Sequence, residues 1–362
     1  MKICPVSTAK DLRSFFVISK EVYQDNPFYR ATETDLVRKL VKGRTVFHSH
    51  ASVKPYLITK GGKPFGRFAL IQDRKLPDYV QIAFFEALPG LPNLAEQILS
   101  QVRLAEPQGR KFVIGLSGHL NYSAGMLLNH FDQAPVFGLP YTPAYYPDYF
   151  SQFQLRTMLS YRFPSQPFYE FMQDSDQAPD LGGITVRTLN KSRFKEEIGI
   201  YTALNNACFA QHPFWADRTV EEDLELFNPF RPLLREEYFL FAEYRGKPIG
   251  FLLWYPDFNE LVQGQEQLNP LHIIKHRLRD PITTFRLTQI AVLPEHRISK
   301  ATLALILQMI PPIKKAGYQF GEGGFIFEDN SPCLNMTAKF LQRGTGNILE
   351  PYRRYGMFEG EL

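Results

Sequence analysis
The sequence predicts an α+β protein built from two tandem domains of one plan, each a mixed, mostly antiparallel sheet flanked by helices. Three echoes carry that prediction. GKPFG begins at Gly62 and GKPIG at Gly246, and each is followed by an apolar run. KFVIGLSGHLNYSAGMLLNHF and FGEGGFIFEDNSPCLNMTAKF each pair an apolar run with an Asn, Asn121 or Asn330, and then small residues ending in a Phe. LSYRF around Tyr161 is echoed by YRRYGMF around Tyr355. The spacing between echoes differs, and two insertions account for it: PYTPAYYPDYFSQFQ in the first copy and DFNELVQGQEQLNPLHIIKHRLRDP in the second. Both fall between elements, where loops tolerate added residues.

The first copy opens with a short strand, MKICPV, and AKDLRSFFVISKEVY follows with apolar residues at helical spacing. PYLITK and FGRFALIQ are strands joined by a tight GGKP turn. YVQIAFFEA is a further strand, and NLAEQILSQVRLAE an amphipathic helix with Asn93 as its N-cap. KFVIGLSG reads as a buried strand, SAGMLLNHF as a helix and RTMLSYRF as the closing strand. The second copy repeats the order through GITVRTL, FKEEIGIYTALNNACF, YFLFAEY, PIGFLLWYP, TFRLTQIAVLP, SKATLALILQMI, FGEGGFIFE, a helix over about 332–341, and EPYRRYGMF. Pro311 and Pro312 are expected to break or kink its long helix. Three consecutive strands between helices mark an antiparallel segment, which excludes a doubly wound fold. The expected domains are residues 1–165 and 183–362, with a linker over 166–182 and an insertion over 260–283.

Composition narrows the function. The 362 residues are 44% hydrophobic and 22% charged, as in a soluble globular protein. No apolar run approaches the roughly 20 residues of a membrane span, and the N-terminus lacks the pattern of a signal peptide. Cys4, Cys208 and Cys333 are few and scattered, which fits a reducing cytoplasm better than a disulfide framework. A net charge of +4 gives no reason to expect nucleic acid. The 31 Phe and 18 Tyr supply a large aromatic core or an apolar substrate groove.

The element order resembles the GNAT acyltransferase fold. Val292, Pro294 and Arg297 match the V-x-P-x-x-R start of that family's acyl-CoA pyrophosphate loop. YPDFNE, EDN and the terminal YRRYGMF resemble a bacterial group of tandem GNAT-like proteins, to which bacterial ceramide synthase-like N-acyltransferases are related. The resemblance spans nearly the whole chain and implies acyl transfer from acyl-CoA to an amine, small or lipid-like. It implies a donor site in the second copy formed by Ile290, Val292, Arg297, Ser299, Lys300, Ala301 and Thr302. It implies no metal, and no HExxH or paired-cysteine motif is present. The sequence departs from the family by placing Ile298, Lys300 and Thr302 where glycines are expected.

Acyl transfer to an amine needs a proton acceptor, because an amine of pKa about 10.4 is almost wholly protonated at neutral pH. Glu322 is one candidate. Strand alternation places it on one face with Glu328. Glu86, ending the fourth strand of the first copy, is a second carboxylate. Asn330 is read either as a partner of the donor's amide arm or as a helix N-cap. Asp257 begins the insertion, either as part of a lid over the acceptor or as an ordinary Asx turn. Neither copy carries the family's Tyr late in the last helix, and Tyr355 is the substitute proposed for that general acid.

His272 and His276 stand at i, i+4 among Lys275, Arg277 and Arg279, which reads as a solvated basic helix or as a contact with phosphate or an anionic lipid surface. His48 and His50 read as loop residues. Two alternatives to the acyl-CoA enzyme stay open at this stage. One is a non-catalytic scaffold of degenerate domains, and the other an acyltransferase whose donor is an acyl carrier protein or an aminoacyl-tRNA.

Overall fold
The computed structural model describes residues 1–31, 34–171, 179–272, 274 and 282–362. They form two compact units. Unit 1 comprises Met1–Met158, Val262–Leu268 and Arg353–Leu362, and unit 2 comprises Leu159–Leu261 and Asn269–Tyr352.

In unit 1, β1 (Lys2–Pro5), α1 (Ala9–Val22) and α2 (Thr34–Val41) lead into β2 (Ala51–Lys60), β3 (Lys63–Asp73) and β4 (Tyr79–Ala87). Helix α3 (Leu94–Ala105), β5 (Lys111–Ile114), the short β6 (Met126–Leu127) and α4 (Tyr146–Phe150) follow. Strand β7 (Gln154–Pro164) belongs to unit 2 from Leu159 on, and there α5 (Gln166–Phe171), β8 (Ile184–Thr188), α6 (Phe194–Phe209) and α7 (Val220–Phe227) precede β9 (Phe239–Tyr244), β10 (Lys247–Pro256) and β11 (Thr284–Val292). Then come α8 (Ala301–Ala316), β12 (Phe320–Phe327) and α9 (Ser331–Thr345), and the chain ends in β13 (Arg354–Glu361).

The strand order is β1-β2-β3-β4-β5-β13 in unit 1, with β6 beside β13, and β7-β12-β11-β10-β9-β8 in unit 2. The two copies have therefore exchanged their closing strands. The strand that ends the first copy completes the sheet of unit 2. The strand that ends the second copy pairs with β5 in unit 1, with Phe358 opposite Ile114. The pairs β4 with β5 and β11 with β12 are parallel, while β2–β3, β3–β4, β9–β10 and β10–β11 are antiparallel.

The repeated GKP motif now has a physical reason. Gly61 and Gly62 (φ +58° and +80°) turn β2 into β3, and Arg245 and Gly246 (φ +51° and +71°) turn β9 into β10. Two successive left-handed residues are what a two-residue hairpin needs. A register shift follows each turn, next to Pro64 and Pro248, whose missing N–H suits an irregular ladder. The last Gly of each motif lets a neighbouring backbone close in. A Cβ on Gly66 would lie 2.9 Å from Glu86 O, and one on Gly250 2.7 Å from Ala291 O.

Unit 1 buries its main core between the sheet and α3, with Phe68, Ile82, Ile98, Val102 and Phe112 at its centre. Unit 2 packs α6 on β9 and β10 through Ile198, Tyr201, Phe239 and Phe251.

Two local expectations are corrected. SAGMLLNHF is not a helix. Gly125 and His130 take left-handed φ of +90° and +52°, and Met126 and Leu127 pair with Gly356 and Tyr355. Pairing with the exchanged strand overrides helical spacing there. Helix α8 runs through Pro311 and Pro312 without a break. The carbonyls that lose their N–H donors belong to Leu307 and Gln308, on a partly exposed turn that water can reach.

Candidate functional site
The feature that positions a site is the parting of the parallel strands. In unit 2, β11 pairs with β12 only from Thr284↔Phe320 to Leu287↔Gly323. Beyond that point β11 runs on to Val292 and β12 to Phe327 without pairing to each other. Thr288 is skipped in the register with β10, which shifts between Leu253 and Trp254, so a bulge marks the parting. Residues Leu287–Ala291 and Gly323–Ile326 are half-buried along the opening.

Unit 1 parts in the same way. Strand β4 pairs with β5 from Tyr79↔Lys111 to Ile82↔Ile114, and a register shift against β3 follows. This opening is filled by the aromatic insertion. Tyr145 Oη donates to Ala87 O at 2.7 Å, and Tyr149 Oη donates to Leu88 O at 2.9 Å. Tyr146 Oη accepts from Ala87 N at 2.9 Å and donates to Glu86 Oε2 at 2.7 Å. Ser117 Oγ accepts from Phe84 N at 3.2 Å. The chain's own tyrosines thus bond the strand backbone beyond this parting. Burial raises the Glu86 pKa, and Arg67 and the Tyr146 and Tyr23 hydroxyls oppose that rise.

The residues expected at the donor site lie together at the outer end of the unit 2 opening. Ile290 and Val292 follow the bulge, opposite Leu252 and Gly250. The loop after them is a tight turn, with His296 N on Leu293 O and Ser299 N on His296 O. Ser299 Oγ, one residue before the N-cap Lys300, accepts from Ala301 N of α8 at 3.2 Å. Exposed Lys300 donates to Asp180 O at 2.5 Å, and Arg297 Nη2 donates to Cys208 O at 3.2 Å. Thr302 stands in the first turn of α8. Ile298 projects fully into solvent.

The expected catalytic residues are spread more widely. Glu322 is 1% exposed and accepts from Ser160 Oγ at 2.9 Å. It lies in register with buried Arg286, one residue inside the parting. Glu328 lies past the end of β12 and is exposed, so it does not share the strand face with Glu322. Asn330 caps α9 through Oδ1, which accepts from Cys333 N at 3.2 Å. Asp257 is buried in an Asx turn that accepts from Asn259 N at 3.0 Å. Its own N–H bonds Thr284 O, at the closed end of β11. Tyr355 is fully buried on β13 and belongs to unit 1.

No pattern in the sequence singles out the wall supplied by α6 and its following loop. Tyr201, Asn205 and Cys208 recur at helical spacing, and His212 continues the series beyond the helix end. Tyr201 Oη donates to Gln289 Oε1 at 2.8 Å. The His212 ring lies 4.9 Å from the ring of Phe327, the last residue of β12. Burial holds the His212 pKa below its ordinary value, so the imidazole is neutral at pH 7. Burial pushes the Cys208 thiol up to about 12, which keeps it protonated and rules it out as a resting thiolate.

The first part of the insertion, Val262–Leu268, belongs to unit 1, where Gln265 Nε2 donates to Lys20 O of α1 at 2.8 Å. His276, Lys275, Arg277 and Arg279 lie outside the described residues, as does much of the expected linker. His50 is more than a loop residue, since its Nδ1 pairs with buried Asp73 at 2.7 Å. Among the described residues no His, Cys, Asp and Glu side chains cluster to hold a metal, and no helix is long and apolar enough to cross a membrane.

Comparison with solved structures decides the fold. A tandem GNAT protein from the clavulanic acid biosynthesis pathway superposes with a TM-score of 0.54 over 99% of this chain and 98% of that one, at 13% identity. The chain has the tandem GNAT fold. A probable N-acyltransferase from Enterococcus faecalis V583 shares this GNAT-like architecture, with a TM-score of 0.53, 10% identity, and cover of 99% and 72%. No protein-family model matches the chain. By sequence it is 22% identical to protein YghO of Escherichia coli K12, over 97% of this chain and 93% of the relative. It is 20% identical to the bacterial ceramide synthase of Caulobacter vibrioides, over 72% of this chain and 71% of the relative.

Proposed function
We propose that the chain is an N-acyltransferase that takes an acyl group from acyl-CoA, held in the opening of unit 2, and passes it to an amine. The observation that carries this reading is the difference between the two openings. The first is plugged by Tyr145, Tyr146 and Tyr149, while in the second the half-buried residues past Leu287 and Gly323 do not pair with each other. In this reading the donor's amide arm lies along β11 from Ile290 to Val292. Its phosphates lie at the start of α8, near Arg297, Ser299, Lys300, Ala301 and Thr302. That loop fits the phosphates through side chains and the first-turn N–H groups of α8 rather than through glycines.

Chemistry then follows from the wall of the opening. The amine nitrogen attacks the thioester carbonyl, the C–N bond forms, the C–S bond breaks, and the thiolate leaves and takes up a proton. Neutral His212 is the first group to accept the amine's proton, and Glu322 is the second. Asn330, Asp257 and Tyr355 act in this reading by holding the cap, the turn and the exchanged strand. A lipid-like amine is the acceptor class supported by the name of the Caulobacter relative. The three free thiols fit a cytoplasmic setting.

Hydrogen exchange with and without millimolar CoA tests the proposal. Slower exchange is expected at 288–292 and 301–304, with none at 83–88. No change anywhere, or protection confined to 83–88, would sink it. The former result would favour a non-catalytic scaffold. One observation points to that rival: the N–H groups of His296 and Ser299 are used up inside their own turn.

A further inference from the structure
His212 lies in the loop that joins α6 to α7, and a single hydrogen bond of its ring decides which nitrogen can act as a base. Nδ1 lies 3.2 Å from Pro213 O. A carbonyl oxygen only accepts, so this bond needs a hydrogen on Nδ1. Burial disfavours the imidazolium. The neutral ring therefore carries its one hydrogen on Nδ1 and its lone pair on Nε2. Two aromatic rings hold it in place, Phe209 edge-on at 5.7 Å and Phe327 at 4.9 Å. The charged group acting on the ring is Asp329, just past β12, which favours protonation against the effect of burial.

The loop is closed at its neck by Asn206 of α6. Asn206 meets the Arg218 main chain with both ends of its amide: Nδ2 donates to Arg218 O at 2.8 Å, and Oδ1 accepts from Arg218 N at 3.0 Å. The far side of this joint is fixed in turn. Buried Arg218 donates from Nε to Asp223 Oδ1 at 2.5 Å, and Asp223 Oδ2 accepts from Thr202 Oγ1 at 2.8 Å. Within the loop, His212 N donates to Phe209 O at 2.7 Å and Trp215 N to His212 O at 3.1 Å. Phe214 is held at a φ of +58°, a left-handed conformation that a bulky residue keeps only where its surroundings impose it. That strain falls two residues from His212, inside the span that Asn206 closes.

Resting on the acyl-transfer reading above, we propose that Nε2 of His212 is the atom that takes the amine's proton and that Asn206 is the residue that positions it. As the amine lone pair forms the C–N bond, its nitrogen loses a proton and Nε2 gains it. The imidazolium keeps its Nδ1 hydrogen on Pro213 O, a bond that strengthens once the donor is charged. The proton then passes to water, from which the thiolate is protonated.

The test uses the full chain with nitrogen-15 in its histidine rings and no ligand. Two-bond nitrogen–proton correlations show which ring nitrogen carries the hydrogen, and the signals missing from His212→Gln assign the residue. In the native protein at pH 8 the hydrogen is expected on Nδ1, and the protonation midpoint below 6.5. Asn206→Ala opens the neck of the loop. The Nε2–H form, which predominates in free histidine, should gain population, and the midpoint should rise towards 6.5. Asn206→Asp keeps the acceptor for Arg218 N and loses only the donor, so it should fall between the two, and it serves if the alanine variant does not fold. Both variants should bind CoA within about twofold of native affinity by calorimetric titration. A hydrogen on Nε2 in the native protein overturns the choice of base atom. A native tautomer and midpoint in both variants overturn the positioning role of Asn206. Failure of the native protein to bind CoA overturns the acyl-transfer reading, and the catalytic role with it, whatever the tautomer.

Discussion
The plug in unit 1 makes a sharp stability prediction through Tyr146. Replacing it with Phe keeps the ring, which packs 5.0 Å from Phe85, and removes only the hydroxyl. Two partners then lose their bond: the N–H of Ala87 and the carboxylate of Glu86. Each lies deep in the unit, with only 14% of the Glu86 side chain exposed. Leaving the Ala87 N–H unsatisfied costs about 1–3 kcal/mol, and the Glu86 carboxylate, which keeps Tyr23 and Arg67, loses one bond of about 1 kcal/mol, so about 2–4 kcal/mol is expected for the pair. At about 3 °C per kcal/mol for a unit of this size, the melting temperature should fall by roughly 6–12 °C.

The loss should also depend on pH. The folded Glu86 pKa is raised above its ordinary 4.5, chiefly by burial, and Tyr146 is one of the groups that pulls it down. Tyr146→Phe therefore raises it further. Between the unfolded and folded values the native state binds more protons than the unfolded state, so stability falls as pH rises through that window. The variant's window extends higher, and its deficit should be larger at pH 8 than at pH 5.5. Adding Glu86→Gln removes the titrating group and should flatten the difference. Calorimetric melting at the two pH values measures both effects. A variant within about 0.5 kcal/mol of native, the scatter of neutral surface changes, at both pH values would refute the reasoning. CoA binding, assigned to unit 2, should be untouched by the change.

Gly66→Ala and Gly250→Ala should each cost about 1–3 kcal/mol in chemical denaturation, because the new methyl meets a carbonyl oxygen at 2.9 or 2.7 Å. Arg218→Ala should cost about 3–5 kcal/mol in the same assay. It strands the Asp223 carboxylate, which is fully buried and held by Arg218 Nε at 2.5 Å and Thr202 Oγ1 at 2.8 Å. If His212 accepts the amine's proton, the acid limb of kcat/KM should lie below pH 6.5, since burial lowers its pKa from that value. His212→Gln should remove that limb from the pH profile of CoA thiol release.

What the sequence could reveal of this fold follows from which interactions are local. The GKP motif is legible because a two-residue hairpin and a close strand approach each demand particular residues at fixed offsets. The order of strands and helices is legible from periodicity. The exchange of closing strands is not. LSYRF and YRRYGMF alternate alike, and nothing in either segment specifies which sheet its edge will join. The misread helix around Gly125 has the same origin, since Met126 and Leu127 are drawn into a strand by residues more than 200 positions away. The plug shows the limit most clearly. The tyrosines of PYTPAYYPDYFSQFQ are conspicuous as composition, yet their role depends on hydroxyls reaching Ala87 and Leu88, which no spacing rule connects. His212 is hidden for a related reason. A lone histidine is uninformative until its burial against Phe327 is known, because it is burial that lowers its pKa. The groups that would perform chemistry here are thus the ones whose properties are conferred by distant parts of the chain. That is also why a sheet-and-helix plan can be copied within one sequence while only one of its two openings is filled by an insertion of tyrosines.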